Sequence, residues 1–556
     1  MMKPNLAIDS IIVALRRNHK ATTHPRAATR TAYPAAVGTP FGADHPRSRS
    51  VGAIGVSIHL PPPEAPLRIE LEVHPSLRPA MRILSFRSLF IAPLMLVLPL
   101  TATTAQMSTL KIPFERYTLP SNGLTVILSE DHSIPMVTVD VWYHVGSKNE
   151  LPGRTGFAHL FEHVMFTGSG HVPYGVQDRL TEGVGGPPNN GSTTSDRTNY
   201  YETVPSNYLE DQFWIESDKM GWLLDALDIN KLNAQRDIVK NERRQSVDNQ
   251  PYGRTNEIIT AALYPAGHPY SWPVIGSMTD LSNASAEDVK AFFRLYYAPN
   301  NATITVVGDF DPKQTKAMIA KYFTDIPRGK PITRPTVPLV TLPSEKRLVY
   351  EDRVQLPRLT VVWPTVGMTH PDAVPLSVLG AILSGSRTKR LTKALVYDRQ
   401  SAAQAFAGQG SSEGIGTFNL TIIPRPGHTL TELELAADSV FDRIKQDGPT
   451  ADELEKVKAS LEFSSVSVLE SDFGKAETLA NGSVFFNDPN YYRTRLEKTN
   501  AVTAADVKRV ANKYLTNGRV VLSVVPMGKL DQASKPAAST KVSVRSTTTK
   551  SSSEAR

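Results

Sequence analysis

The sequence predicts an α+β protein made of two tandem homologous domains, each a mainly antiparallel sheet covered by helices. Three observations predict it. Ser285-Ala-Glu-Asp-Val-Lys290 returns 218 residues later as Thr503-Ala-Ala-Asp-Val-Lys508, and at the same offset Tyr296 meets Tyr514 and Val306 meets Val524. Both copies read as capping box, helix, turn and hydrophobic strand. Upstream, Pro135-x-x-Thr-Val-x-Val-Trp142 is matched at a similar offset by Pro357-Arg-Leu-Thr-Val-Val-Trp363, and a Pro-rich stretch, 329–344, separates the copies. The domains are therefore 106–328 and 345–530, each near 200 residues, an ordinary domain size.

Ahead of the first copy, residues 1–80 are rich in Pro, Ala and Arg without sustained amphipathic period. They read as a mis-called start or as a disordered extension. Met81-Arg-Ile-Leu-Ser-Phe-Arg87 then opens a short basic stretch, followed by an apolar run from Leu89 to Leu100 and by small residues through Ala105. That order is a secretory signal peptide over 81–105, too short and too Pro-interrupted to span a bilayer. The mature chain would begin near Gln106, outside the cytoplasm (periplasmic or secreted), with no stable membrane anchor after cleavage.

Tyr117 to Leu128 reads as two strands around an Asn122-Gly123 turn, and Val137 to Val145 as a third. A helix follows, then a loop over Gly183 to Gly191, a strand from Thr198 to Val204, and helices from Tyr208 to Leu227 and from Leu232 to about Ser246. The last 26 residues, 531–556, are Ser/Thr/Lys/Ala-rich and read as a disordered basic tail.

Composition narrows the chemistry. The chain has 40% hydrophobic and 21% charged residues, as globular proteins do, and no cysteine. Disulfides, thiolate metal sites and a Cys nucleophile are excluded, so a metal must use His and carboxylate. The net charge of +7 lies in the ends: 1–105 and 531–556 together carry +10, which leaves −3 for 106–530. The basic balance is no argument for a nucleic-acid partner.

The first helix carries the one constellation with chemistry in it. Within Gly156-Phe-Ala-His-Leu-Phe-Glu-His-Val-Met-Phe-Thr-Gly168 stands H-x-x-E-H: His159, Glu162 and His163. Residues four apart share a helix face, so the two imidazoles make half of a tetrahedral zinc site, or else a satisfied core pair. Glu162 borders that face, where it could take a proton from a metal-bound water, and the order is the inverse of H-E-x-x-H. Two His ligands need a third. Ile238, Val239, Glu242 and Ser246 fall on one helical stripe, so Glu242 reads as pointing inward, where it is either that ligand or the partner of Arg243, Arg244 or another arginine. Asp237 is out of phase and reads as solvated. The second copy sets Leu376, Leu379 and Gly380 opposite His159, Glu162 and His163. The fold therefore does not require the polar residues of the first copy.

His159-Leu-Phe-Glu-His163 together with Arg236-Asp-Ile-Val-Lys-Asn-Glu242 resembles the pitrilysin/insulinase family of zinc metallopeptidases, in the bacterial branch similar to mitochondrial processing peptidase. The resemblance covers about 110–530. It implies that His159, His163 and Glu242 bind zinc and that Glu162 is the general base. It also implies that residues 189–200 form a substrate-side edge strand, to which an extended peptide adds with Asn190 in contact. Gly191 stands where the family usually has Ala, and Gln235 where many relatives place a Glu supporting the metal site. By the same resemblance the chain is half of a four-domain clamshell, working as a homodimer or as a heterodimer with a related subunit lacking the zinc motif. The function implied is zinc-dependent hydrolysis of peptides or unfolded segments. A non-catalytic or peptide-binding subunit of such an assembly is the alternative.

Overall fold

The computed structural model describes residues 111–543. The proposed extension and signal peptide, and the end of the tail from 544 onward, lie outside the described residues.

Among the described residues, twelve strands form two sheets of six. The first holds β1 (Glu115–Thr118), β2 (Thr125–Glu130), β3 (Met136–Tyr143), β4 (Asn190–Thr193), β5 (Thr198–Pro205) and β6 (Ala302–Gly308) in the order β1-β2-β6-β3-β5-β4. The second holds β7 (Lys346–Asp352), β8 (Arg358–Val366), β9 (Ala402–Ser411), β10 (Ile415–Pro424), β11 (Val520–Pro526) and β12 (Thr540–Lys541) in the order β12-β7-β11-β8-β10-β9. Five strands take the same order in both sheets, and the outermost place is filled by N-terminal β1 in the first and by C-terminal β12 in the second. Each sheet is antiparallel except where its second strand runs beside the return strand: β2 with β6, β7 with β11, and β12 added parallel to β7. The helices at the repeat, Ala286–Tyr296 and Ala504–Tyr514, both begin at complete capping boxes, on Ser285 and Thr503. The α+β class and the tandem organisation stand as the sequence predicts.

Period-two alternation decides which face each sheet buries. In β3, Val137, Val139, Val141 and Tyr143 join the helices in one core, while Asp140 and Trp142 point to the other face. In β8, Leu359, Val361 and Trp363 join the second core, and Val362 faces away. Those outer faces are covered by an exchange. The Thr255–Leu263 helix of the first copy lies on the second sheet, with Ile258, Ile259 and Leu263 against Val362, Val520, Leu522 and Val524. The Asp472–Phe486 helix of the second copy lies on β3 and β6 of the first sheet, where Ala476 and Leu479 meet Ile127 and Val307. Adding the repeat offset to the first helix lands inside the second. Equivalent helices thus cross over, and each copy completes the other.

The linker and the tail are both tied down. Arg334 in the Pro-rich stretch donates to the His144 carbonyl and to Asn301 Oδ1 at 2.7 Å, and Pro338 O bonds His268 at 3.0 Å. The expectation of disorder over 531–556 is corrected for its first part. Ala533 and Ser534 are buried, β12 pairs with β7, and Val542 N donates to Val349 O at 2.9 Å. The Ser534 hydroxyl donates to Glu434, whose carboxylate also takes Arg347 at 2.6 and 2.9 Å and Arg519 at 3.1 Å. A buried carboxylate held by two guanidiniums needs that hydroxyl to saturate its lone pairs, which holds the segment in place.

Candidate metal centre

The motif helix, Phe157–Val164, is only eight residues long, so packing rather than propensity keeps it formed. Leu160, Phe161 and Val164 are fully buried, and Phe161 packs between Phe293 and Tyr297. Two tyrosine hydroxyls from beneath reach its carbonyls: Tyr200 to Phe161 at 3.0 Å and Tyr297 to Ala158 at 3.3 Å. Its N-cap, Gly156, sits at φ 90° and offers no capping side chain. The cap comes from Glu150 instead. Its two carboxylate oxygens accept from the N–H groups of Gly156 and Ala158, each at 2.9 Å.

The Ile229–Arg243 helix starts on Asp228, whose side chain accepts from the N–H groups of Asn230 and Lys231. Its buried stripe is Leu232, Arg236, Val239 and Arg243, spaced four, three and four. This corrects the stripe expected from sequence. Ile238 is 47% exposed, and Ser246 is exposed in the wider turn that follows the helix. Glu242 lies about one position, or 100°, off the buried face, at the rim of a cleft with 40% of its side chain exposed. Asp237 is solvated, as expected. The arginines near Glu242 are engaged elsewhere. Arg243 holds Glu257 at 2.5 Å and the Gly276 carbonyl at 3.0 Å, and Arg244 bonds Asn241.

Glu242 meets the histidines. Its Oε2 is 3.2 Å from His163 Nε2 and 3.7 Å from His159 Nε2, and one donor atom from each of the three residues lies within 4.8 Å of the others. The imidazole rings stand edge to face, centroids 4.8 Å apart. Burial, then the neighbouring His163, pulls His159 down to about 4, so its ring is neutral near pH 7. A neutral imidazole is the form that binds a metal. Glu242 Oε2 and His159 Nδ1 are shielded from solvent, and neither makes a hydrogen bond. Three convergent donors, two N and one carboxylate O that is shielded and without a hydrogen bond, fit zinc.

Glu162 lies between the cluster and edge strand β4. A Cβ added at Gly191 would stand 3.2 Å from Glu162 Cγ and 3.0 Å from Asn199 O, so the absence of a side chain there lets helix and strand close up. Burial raises the Glu162 carboxyl, while Thr193 and His163 act against that rise. Asn190 opens β4, opposite Tyr201, exposed at the outer edge of the sheet and outside the three-residue cluster. Gln235 is half-buried.

The turn beyond β4 is bound to the second copy. Asp196 accepts from Lys148 at 2.9 Å, from the Tyr270 hydroxyl at 2.5 Å and from Glu413 N at 3.0 Å; Glu413 sits in the β9–β10 turn and also holds Lys148. In that copy Leu376, Leu379 and Gly380 are all buried, and a Cβ on Gly380 would meet Gly408 Cα of β9 at 2.9 Å. Where the first copy sets His159, Glu162 and His163 against its edge strand, the second packs apolar residues and Gly380.

Sequence reasoning missed Glu150 and the Arg243–Gly276 bond. The first had a signal: a helix that starts on glycine with no Ser, Thr, Asp or Asn must find its cap elsewhere.

Comparisons with known proteins bear on the fold and the family. The family model described as insulinase (peptidase family M16) matches residues 125–271, and the one described as the peptidase M16 inactive domain matches 283–461. Zinc protease PqqE of Helicobacter pylori is 29% identical over 406 residues, covering 71% of this chain and 88% of that protein. A probable mitochondrial-processing peptidase subunit beta of Arabidopsis thaliana is 23% identical over 432 residues, covering 75% and 79%. Among solved structures, a protease from Helicobacter pylori superposes with a TM-score of 0.70 at 28% identity, over 75% of this chain and all of that one. A peptidase M16 inactive domain from Pseudomonas fluorescens shares the fold, with a TM-score of 0.67 at 19% identity, over 75% and 98%.

Proposed function

The chain belongs to the insulinase family of peptidases, M16, and from that premise we propose that it is a zinc-dependent metalloendopeptidase acting on peptides or unfolded segments outside the cytoplasm. The observation that carries the reading is the convergence of His159, His163 and Glu242, with Glu162 turned toward an edge strand. Those three residues would hold the metal. Zinc bound there supplies Lewis-acid chemistry, polarising a carbonyl and acidifying water.

The chain's own residues do the rest. His159 and His163 present nitrogens from one helix face, which Glu150 fixes at its N-terminus and Tyr200 and Tyr297 fix from below. An extended peptide pairs with the free edge of β4, main chain to main chain, with Asn190 at the start of the strand. This lays its scissile bond beside Glu162. The Glu162 carboxylate accepts the proton of the attacking water and returns it to the departing amide nitrogen, and burial, which raises its carboxyl, makes it the stronger base. The active assembly is a homodimer or a heterodimer with a related subunit that lacks the zinc motif. The related mitochondrial-processing peptidase beta subunits support a two-subunit form. The signal-like stretch 81–105 supports export.

Glu162→Gln tests the assignment. The variant should retain one zinc per chain by atomic absorption and lose peptide hydrolysis by at least about a hundredfold. A Glu162→Gln variant as active as wild type would remove Glu162 from the mechanism. A wild-type chain that binds zinc and peptide without turnover would favour a peptide-binding subunit.

A further inference from the structure

The exchange of helices leaves a space beside the Thr255–Leu263 helix. Between the outer face of the second sheet and the Thr255–Leu263 helix lies a cavity of about 920 Å³, within the range of small-ligand sites. One wall is polar by alternation. Leu359 and Val361 turn into the core, so Arg358 and Thr360 turn to the cavity, and Thr421 stands opposite Thr360 on β10.

Arg358 is unusual there. Its guanidinium lies 4.1 Å over the Tyr252 ring, and Nη2 donates to Thr255 Oγ1 at 2.5 Å and to the Tyr252 carbonyl at 3.3 Å. Its Nε is shielded from solvent and makes no hydrogen bond, and no carboxylate among the described residues forms an ion pair with it. Asp352 is engaged by the N–H groups of Tyr252 and Arg353, and Glu257, also in the wall, is engaged by Arg243. The Thr360 hydroxyl, in a residue only 7% exposed, likewise has no partner. A half-buried guanidinium hydrogen-bonded only to neutral oxygens, with Asp352 acting on it from beyond ion-pair distance, has room for a planar anion, and a carboxylate matches its fork.

The cavity also adjoins the candidate metal centre. Ser195, two residues past the end of β4, lines it, and so does Ser246, whose hydroxyl donates to the Glu242 carbonyl one helical turn away. A chain laid along β4 past Glu162 continues toward this wall.

We propose that the cavity receives one end of the substrate peptide and that Arg358, with Thr360 beside it, recognises a carboxylate on that end. The carboxylate is either the peptide's C-terminal group or an Asp or Glu side chain near it. This deepens the peptidase reading and rests on it for the path of the peptide.

The test compares internally quenched peptides of one sequence, ending as free acid or as amide, on the full-length zinc-loaded enzyme. The free acid should show a KM about tenfold lower, the worth of one charge-assisted contact, with kcat little changed. Arg358→Gln should bring the acid-to-amide KM ratio to about one, and Arg358→Lys should leave it in between. An amidated peptide carrying Asp or Glu near its end separates the two sources: a recovered low KM assigns the side chain, and none assigns the terminus. Equal KM values in wild type, or a preference that survives Arg358→Gln, would overturn the site. Fluorescence anisotropy of the same peptides on Glu162→Gln reads binding without turnover. Tighter binding of the acid there, in a protein whose wild type cleaves nothing, would sink the peptidase reading and leave the carboxylate site standing.

Discussion

Replacing Glu150 with Leu keeps the volume of the side chain and removes both acceptors at the start of the motif helix. The consequence can be worked from the structure. Glu150 is 4% exposed and receives two N–H groups at 2.9 Å, and the cap residue, Gly156, has no side chain to substitute. Each buried donor left unmade costs about 1–3 kcal/mol, and part is recovered if water reaches the helix end, so about 2–4 kcal/mol is lost locally. At about 1.4 kcal/mol per decade, local opening of the helix start becomes roughly 30- to 1000-fold more frequent. Hydrogen exchange read by mass spectrometry over 150–165 should rise by that factor. The equivalent helix of the second copy, Ala373–Leu383, should not change. Since His159 is the third residue of the loosened helix, zinc should also be lost to a chelator at about tenfold lower concentration. Faster exchange everywhere in proportion would mean global destabilisation. No acceleration at 156–160 would refute the idea that Glu150 holds the motif helix.

Three further outcomes follow from the same geometry. Gly156→Ala places a Cβ at φ 90° and 2.9 Å from the Ile275 carbonyl, so it should cost at least about 2 kcal/mol in thermal unfolding and lower zinc content. Gly153→Ala, at φ 80° with nothing within 4 Å, should cost only about 1 kcal/mol and spare the metal. Zinc at about a thousand times its dissociation constant should stabilise the chain by about 4 kcal/mol in a thermal melt, an effect that a chelator or His163→Ala removes. In acid, burial pushes Glu434 up, but Arg347 and Ser534 outweigh it and hold the group at about 2; the Arg347 and Arg519 charges face it. A folded value below the unfolded one contributes stability above about pH 4.5 that is lost as pH falls toward 2, about 2 kcal/mol after allowing for screening. A pH series of urea melts should show that slope in wild type and a flatter one in Glu434→Gln.

The parts of the fold that were legible in the sequence are those where one residue's environment repeats along the chain. Val137, Val139 and Val141 alternate because one face of β3 is core, and capping boxes at Ser285 and Thr503 mark the same helix start twice. What was not legible depends on contacts far apart in sequence. The helix of Glu242 carries charged Arg236 and Arg243 on its buried stripe, each donating to a carbonyl, Ala284 or Gly276. A hydrophobic period cannot register buried arginines, so the stripe drawn through Ile238 and Ser246 was rotated from the true one. β4 is four residues, Asn-Gly-Ser-Thr, of low strand propensity, and only its pairing with β5 makes it a strand. β12 is two residues long and is held by a neighbouring buried carboxylate rather than by its own pattern.

The second copy does more than cover the first. Its Asp472–Phe486 helix brings Glu477 to the outer face of β3 and β5, where it accepts from Trp142 at 3.1 Å and from Asn199 at 2.6 Å. Asn199 in turn accepts from Ser192 of β4 and from Arg197, each at 2.8 Å, while Glu413 holds the turn beyond β4 through Asp196 and Lys148. Edge strands are usually the loosest part of a sheet, and a loose template charges its ordering entropy to whatever pairs with it. Here the edge is fastened on its inner side by the motif helix and on its outer side by the copy that lacks the motif. Loss of His, Glu and His from that copy frees its helix to pack on β9 at Gly380, where a ligand side chain would clash with Gly408. The two copies differ in complementary directions: one keeps polar residues between helix and edge strand, and the other packs that interface tightly and braces the first.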